Sequence, residues 1–276
     1  MNNFFTRIIT LLFLLHISFF AVAQGDLLIA PKRIVFDGSK RVEEINLANI
    51  GKDTATYTIS FMQYRMDENG KFEPVSDQDS TLKFAHKNLR FFPRTVTLAP
   101  KEAQSVKVQV IKTNELTTGE YRSHLYFRAV PNKNDLGDEA PEPTQDSGFS
   151  IKLTPVFGIS IPVIIRVGET YSTSHFSNAK FEFIQQTHPA LSITLNRTGN
   201  ISAYGDIAVN YIGANKKAIP VCFMKGLAVY VPNSKRILQL PLVQKEGVDY
   251  KSGKLQVVYT DQSPKAAVIC QSEIIL

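Results

Sequence analysis

The chain has 276 residues, and an apparent export segment takes the first 23, leaving 253. That is long for one β-sandwich and fits two domains of about 100–130 residues each. Hydrophobic residues make up 43% and charged residues 20%, which excludes a disordered chain and lets each half bury a core. The formal charge is +6, but no run of Lys and Arg forms a stripe, so the sequence gives no nucleic-acid footprint. Two cysteines exclude both a disulfide-dense scaffold and a cysteine zinc cluster.

At the N-terminus, Arg7 precedes an almost wholly apolar run, Ile8 to Phe20, and then Ala21-Val22-Ala23. Small residues at the first and third positions before a cut suit signal peptidase, so cleavage is expected after Ala23 and the mature chain starts at Gln24. No cysteine follows the run, which argues against a lipoprotein, and no later apolar run is long enough for a membrane span. Export implies an oxidising compartment where Cys222 and Cys270 can pair; the alternative is two buried free thiols. A bond between them would stabilise by roughly 3–4 kcal/mol in the loop-entropy account.

Apolar residues recur at period two throughout the mature chain, punctuated by Pro, Gly, Asn and Asp, and no convincing amphipathic helix appears. Seven strands are predicted in the first half, near Leu27–Phe36, Val42–Asn49, Ala55–Tyr64, Arg90–Leu98, Ala103–Ile111, Glu120–Val130 and Phe149–Val167. The fourth and fifth read as a hairpin turned at Pro100-Lys101. Between Pro131 and Ser147 lies an acidic, proline-containing segment nearly free of bulky apolar groups, a length of loop that is often functional. Gly168-Glu169-Thr170 reads as an interdomain linker. Seven more strands are predicted near Lys180–Gln185, Ala190–Asn196, Gly205–Ile212, Leu227–Val231, Arg236–Pro241, Gly253–Tyr259 and Ala267–Ile275. The fold class is therefore all-β, two tandem immunoglobulin-like sandwiches over residues 24–167 and 168–276.

The strongest periodic signal runs from Phe149 to Val167. Every odd position is apolar, from Phe149, Ile151, Leu153, Pro155 and Phe157 through Val167, whereas most even positions are not. Fully extended, such a strand would span about 60 Å, well beyond the five to eight or so residues a sandwich of this size needs. Part of it is thus expected to run past its own core. An overlong strand with one apolar face is an aggregation hazard unless a partner covers it, and it is suited to lending a strand to another protein. The alternative is a bent strand serving one core, broken at Pro155 or Pro162.

Several segments in order carry a resemblance. Pro31-Lys32-Arg33-Ile34-Val35-Phe36-Asp37-Gly38, Ile45-Asn46-Leu47-Ala48-Asn49, Phe92-Pro93 through Lys101 with Gln104–Val108, Glu120-Tyr121-Arg122 through Pro131, and Asn196-Arg197-Thr198-Gly199-Asn200 together resemble the PapD-like periplasmic chaperones of pilus assembly, over essentially the whole mature chain. The resemblance implies a non-enzymatic protein without cofactor. It implies binding of pilus (fimbrial) subunits by donor-strand complementation, and delivery to an outer-membrane usher. Phe149, Ile151, Leu153 and Phe157 would stand in the donor strand. Arg33 would anchor the subunit's C-terminal carboxylate, a task suited to the planar guanidinium fork. The family's second cation, a lysine, has no counterpart, because Ser160 occupies its place. Lys152 is too distant along the strand, and the anchor would rest on Arg33 alone, on Arg166, or be replaced by another contact. An exposed donor edge would also let free protein cap itself as a homodimer.

Other chemistry has little support. His86, His124, His175 and His188 lack metal-ligand spacing, so no metal is expected. Neither a Gly-x-Ser-x-Gly elbow nor a glycine-rich phosphate loop appears. The competing reading is a secreted two-sandwich adhesin or carbohydrate-binding protein, which would need exposed aromatic platforms rather than an overlong strand.

Overall fold

The computed structural model describes residues 27–131, 156–214 and 216–276. The export segment, residues 132–147 of the acidic loop, and Phe149, Ile151 and Leu153 lie outside the described residues.

The first sandwich begins with β1 (Leu27–Ala30) and β2 (Ile34–Phe36), followed by β3 (Val42–Asn49), β4 (Ala55–Met62), β5 (Tyr64–Met66) and β6 (Phe72–Pro74). It continues with β7 (Leu89–Phe92), β8 (Thr95–Leu98), β9 (Ala103–Val110), β10 (Gly119–Val130) and β11 (Gly158–Val167). One sheet has the order β1-β3-β9-β7 and the other β2-β11-β10-β4-β8. Alternating side chains from both sheets meet between them: Ile45 and Leu47, Val106 and Val108, Leu125 and Phe127, and Val163 and Ile165 are all almost fully buried. Each contributes roughly 1.5–3 kcal/mol by leaving water.

Two segments predicted as single strands are each two. Within 27–36 the chain changes sheets: β1 pairs antiparallel with β3, and β2 pairs parallel with β11. Within 89–98, β7 pairs with β9 and β8 with β4. Pro31 and Pro93 mark the crossings, since each lacks the N–H that a continuing ladder would use. The expected hairpin of fourth and fifth strands is therefore a corner, with β8 and β9 in opposite sheets. Sequence reading also passed over the β5–β6 hairpin. Its turn is closed by Asp67, whose Oδ1 accepts from the N–H groups of Asn69 and Lys71, and by Gly70 at φ +87°.

The second sandwich comprises β12 (Ser172–Ile184), β13 (His188–Gly199), β14 (Ala203–Ile212), β15 (Ala218–Val229), β16 (Lys235–Pro241), β17 (Lys254–Thr260) and β18 (Val268–Ile275). Its sheets run β12-β13-β16 and β15-β14-β17-β18. Leu191, Ile193, Leu195, Ile207, Val209, Val257 and Tyr259 fill the core, and the Tyr259 hydroxyl donates to the Leu227 carbonyl. β15 starts nine residues before its predicted start at Leu227, because Pro220, Lys225 and Gly226 interrupt the apolar alternation that would have revealed it. The architecture is two immunoglobulin-like sandwiches in tandem, as read from the sequence. Among the described residues no helix is long and apolar enough to cross a membrane, which says nothing of a β-barrel.

The cysteine pairing is a correction. Cys222 lies on β15 and Cys270 on β18, the two edges of one sheet, with β14 and β17 between them. Three strand spacings separate the edges by about 14 Å, whereas a bridge needs Cα atoms within about 7 Å. Both thiols are free and half-buried; burial pushes the Cys270 thiol up to about 11 and raises that of Cys222.

Candidate functional site

The sandwiches meet at one end of the β2-β11-β10 sheet. A small apolar cluster, Met66, Ile164, Ala228 and Tyr230 with Val35 and Tyr204 against it, joins them. Ile164 reaches it because it is an even residue of β11, pointing away from the core that Val163 and Ile165 fill.

Two positions of charge flank this cluster. In the first, Glu120 of β10 has a fully buried side chain. It accepts from the Ser202 hydroxyl and N–H of the second sandwich and from Arg166 Nε of β11 at 3.1 Å. Arg166 Nη2 donates to the Ser202 carbonyl, and the Ser202 hydroxyl oxygen also accepts from the Val231 N–H. Three elements of two domains thus share one satisfied ion pair, and burial makes such a pair costly to break from one side.

The second holds Arg33, placed in the cleft by the crossing from β1 to β2. Its guanidinium lies 4.1 Å from the Tyr204 ring centroid, and Nη1 donates to the Tyr230 hydroxyl at 3.2 Å. It is half-buried and, among the described residues, has no carboxylate partner. Arg122 also stacks on Tyr230, 3.9 Å from the ring centroid, and donates through Nη2 to the Tyr64 carbonyl. Arg122 is 7% exposed and its Nη1 has no protein acceptor. Burial, with the charge of Arg33 adding to it, pulls its pKa down to about 10. Two residues along β10, His124 is buried edge-on to Tyr64 and Phe72. Burial, then the charges of Arg122 and Arg33, hold its imidazole neutral, with the pKa pushed down to about 3.

The β5–β6 hairpin spans this junction. Asn233 Nδ2 donates to the Met66 carbonyl and the Ile237 N–H to the Glu68 carbonyl, both at 2.7 Å. Lys235 and Glu68 pair at 3.2 Å.

Of the residues singled out in the sequence, Arg33 stands in the cleft. Arg166 does not share its position; it is committed to Glu120, so it is not a spare anchor. Ser160 is exposed on β11 and hydrogen-bonds the Tyr64 hydroxyl. Phe157 is 51% exposed, and its carbonyl accepts from the Ala129 N–H, extending the β10–β11 ladder. Next to it, any side chain at Gly158 would collide with the Tyr126 ring. β2 pairs only with Val163–Ile165, so among the described residues Gly158–Pro162 carry a strand on one side and none on the other. Sequence reading missed Glu120, Arg122, His124, Tyr204 and Tyr230. The available signal was the polar set Glu120, Arg122 and His124 at one parity of a strand whose other parity includes Leu125 and Phe127.

No family model matches the chain, and no curated protein matches it. Solved structures similar to it include the YadV chaperone, at 13% identity and TM-score 0.46, covering 91% of this chain and all of that one. The CupB2 chaperone of Pseudomonas aeruginosa is similar at 12% and 0.43, over 90% of this chain and all of that one. A Salmonella enterica structure of the SafA pilin in complex with the SafB chaperone is similar at 11% and 0.43, over 93% and 99% of the respective chains.

Proposed function

We propose that this protein is a periplasmic chaperone that binds fimbrial subunits by donor-strand complementation and delivers them to an outer-membrane usher. The observation that carries the reading is Arg33: a half-buried guanidinium in an interdomain cleft, stacked on Tyr204 and without a carboxylate partner among the described residues. Stacking fixes the plane of the fork, so its remaining N–H groups can meet a subunit's terminal carboxylate side-on. Arg122, stacked on Tyr230, adds the second positive charge that Ser160 does not provide. Beside the cleft, β11 runs back toward Phe157 and the segment containing Phe149, Ile151 and Leu153. In this reading those side chains fill the subunit's groove while the main chain completes its sheet. No nucleotide drives release; the subunit's own completed fold does.

The test is capture of proteins from the host's periplasm by tagged mature chain, with mass spectrometric identification. A stoichiometric β-rich secreted subunit is expected, lost when Ile151→Arg and Leu153→Arg are combined in a chain that stays folded. Undiminished capture by that folded variant overturns the donor assignment, and binding of glycan in place of protein overturns the chaperone reading.

A further inference from the structure

Between the sandwiches, beside Arg122, lies a half-open cavity of about 320 Å³, lined by Lys83, Glu120 and Arg122 of the first sandwich and Arg197 and Asn200 of the second. That is the lower end of the range of about 300–1,000 Å³ typical of small-molecule sites. Its electrostatics do not balance. Three guanidiniums, those of Arg122, Arg166 and Arg197, act on one buried carboxylate, Glu120. Arg166 takes that charge by direct contact, and Ser202 fills the other acceptor positions.

Arg122 and Arg197 are therefore 7% and 5% exposed with no carboxylate of their own among the described residues. Arg197 donates to the carbonyls of Asn233, Gly199 and Ile201, and Arg122 to that of Tyr64. Carbonyls satisfy N–H groups but do not neutralise charge, and buried charges are normally paired. Burial accordingly pulls both guanidiniums below their ordinary range. At the rim, the exposed Lys83 ammonium is steadied by the Thr117 hydroxyl and the Thr118 carbonyl, both at 3.2 Å.

We propose that this interdomain cavity binds a small oxyanion carrying two or more negative charges, of the phosphate or compact dicarboxylate class, with Lys83 as its accessible contact and Arg122 and Arg197 supplying the field. Because the cations come from both sandwiches, the ligand would also fasten the junction. The proposal does not depend on the chaperone reading.

The test is thermal unfolding of the mature chain in sodium chloride, with inorganic phosphate or succinate added at constant ionic strength. A saturable rise in Tm with at least one of the two is expected, and which one acts identifies the source. Lys83→Gln alters the ammonium's bonds to Thr117 and Thr118, so its response is read against its own Tm in chloride. It should raise the half-saturating concentration roughly tenfold, the worth of one charge-assisted hydrogen bond. Lys107→Gln, an exposed lysine on β9 remote from the cavity, should respond like the parent chain. Equal Tm with both anions and chloride, or a full response in Lys83→Gln, overturns the proposal.

Discussion

The joint at Glu120 and the cleft at Arg33 lie on the same sheet end and use the same kinds of group, yet they are built for opposite ends. At the joint the carboxylate is fully engaged: Glu120 has Arg166 and both polar groups of Ser202. In the cleft, Arg33 has two tyrosine rings and a hydroxyl but no anion among the described residues. Saturation fixes the relation between two domains, whereas an unsaturated, pre-oriented guanidinium remains free to recognise something. An arginine on a β surface is therefore informative only once its partner is known.

The largest effect expected from breaking this contrast is at the joint. Glu120→Ala removes the fully buried carboxylate and leaves the partly buried Arg166 guanidinium and both polar groups of Ser202 without it, and should destabilise by about 3–5 kcal/mol, measured by urea unfolding. Next comes pH. His124 is neutral in the fold, with its pKa held to about 3 against an ordinary value near 6.5, so the unfolded chain binds the extra proton between those limits. The stability this contributes is complete above about pH 6.5 and falls as pH drops toward 3, by up to about 1.4 kcal/mol per unit. His124→Phe should flatten that slope in unfolding curves taken from pH 7 to 4; an unchanged slope would assign the acid sensitivity elsewhere. Arg33→Ala should be nearly silent in stability, changing it by under about 1 kcal/mol, while abolishing subunit capture; a loss of folding instead would make Arg33 a second structural joint. The smallest effect is expected from Glu68→Ala, which removes an exposed ion pair worth about 0–1 kcal/mol. The same substitution leaves the hairpin's bond from the Ile237 N–H in place, since that bond uses the backbone.

Period-two patterning made the fold class and most strand cores legible, because a strand with one buried face must alternate. The run from Ile159 to Ile165 points its odd residues into the first core as expected. What escaped was set by tertiary context. Pro31 and Pro93 could be seen, but which sheet each half-strand would join could not, because both halves are apolar. Cys222 and Cys270 have a separation compatible with a loop closure, but strand order put them on opposite edges. Arg33 stood out through its motif; Arg122, Tyr204 and Tyr230 come together only when two domains that are far apart in sequence meet. The Phe72 ring, unremarkable in sequence, is edge-on to His124 only because the hairpin folds back over β10.

The crossing between β1 and β2 also has a mechanical meaning. Arg33 sits on a link held upstream by four paired residues in one sheet and downstream by three in the other. A load applied to its side chain cannot peel either sheet from a free end; it is divided between two ladders on opposite walls of the sandwich. Whatever the guanidinium grips is thereby moored to the whole first domain rather than to a single strand.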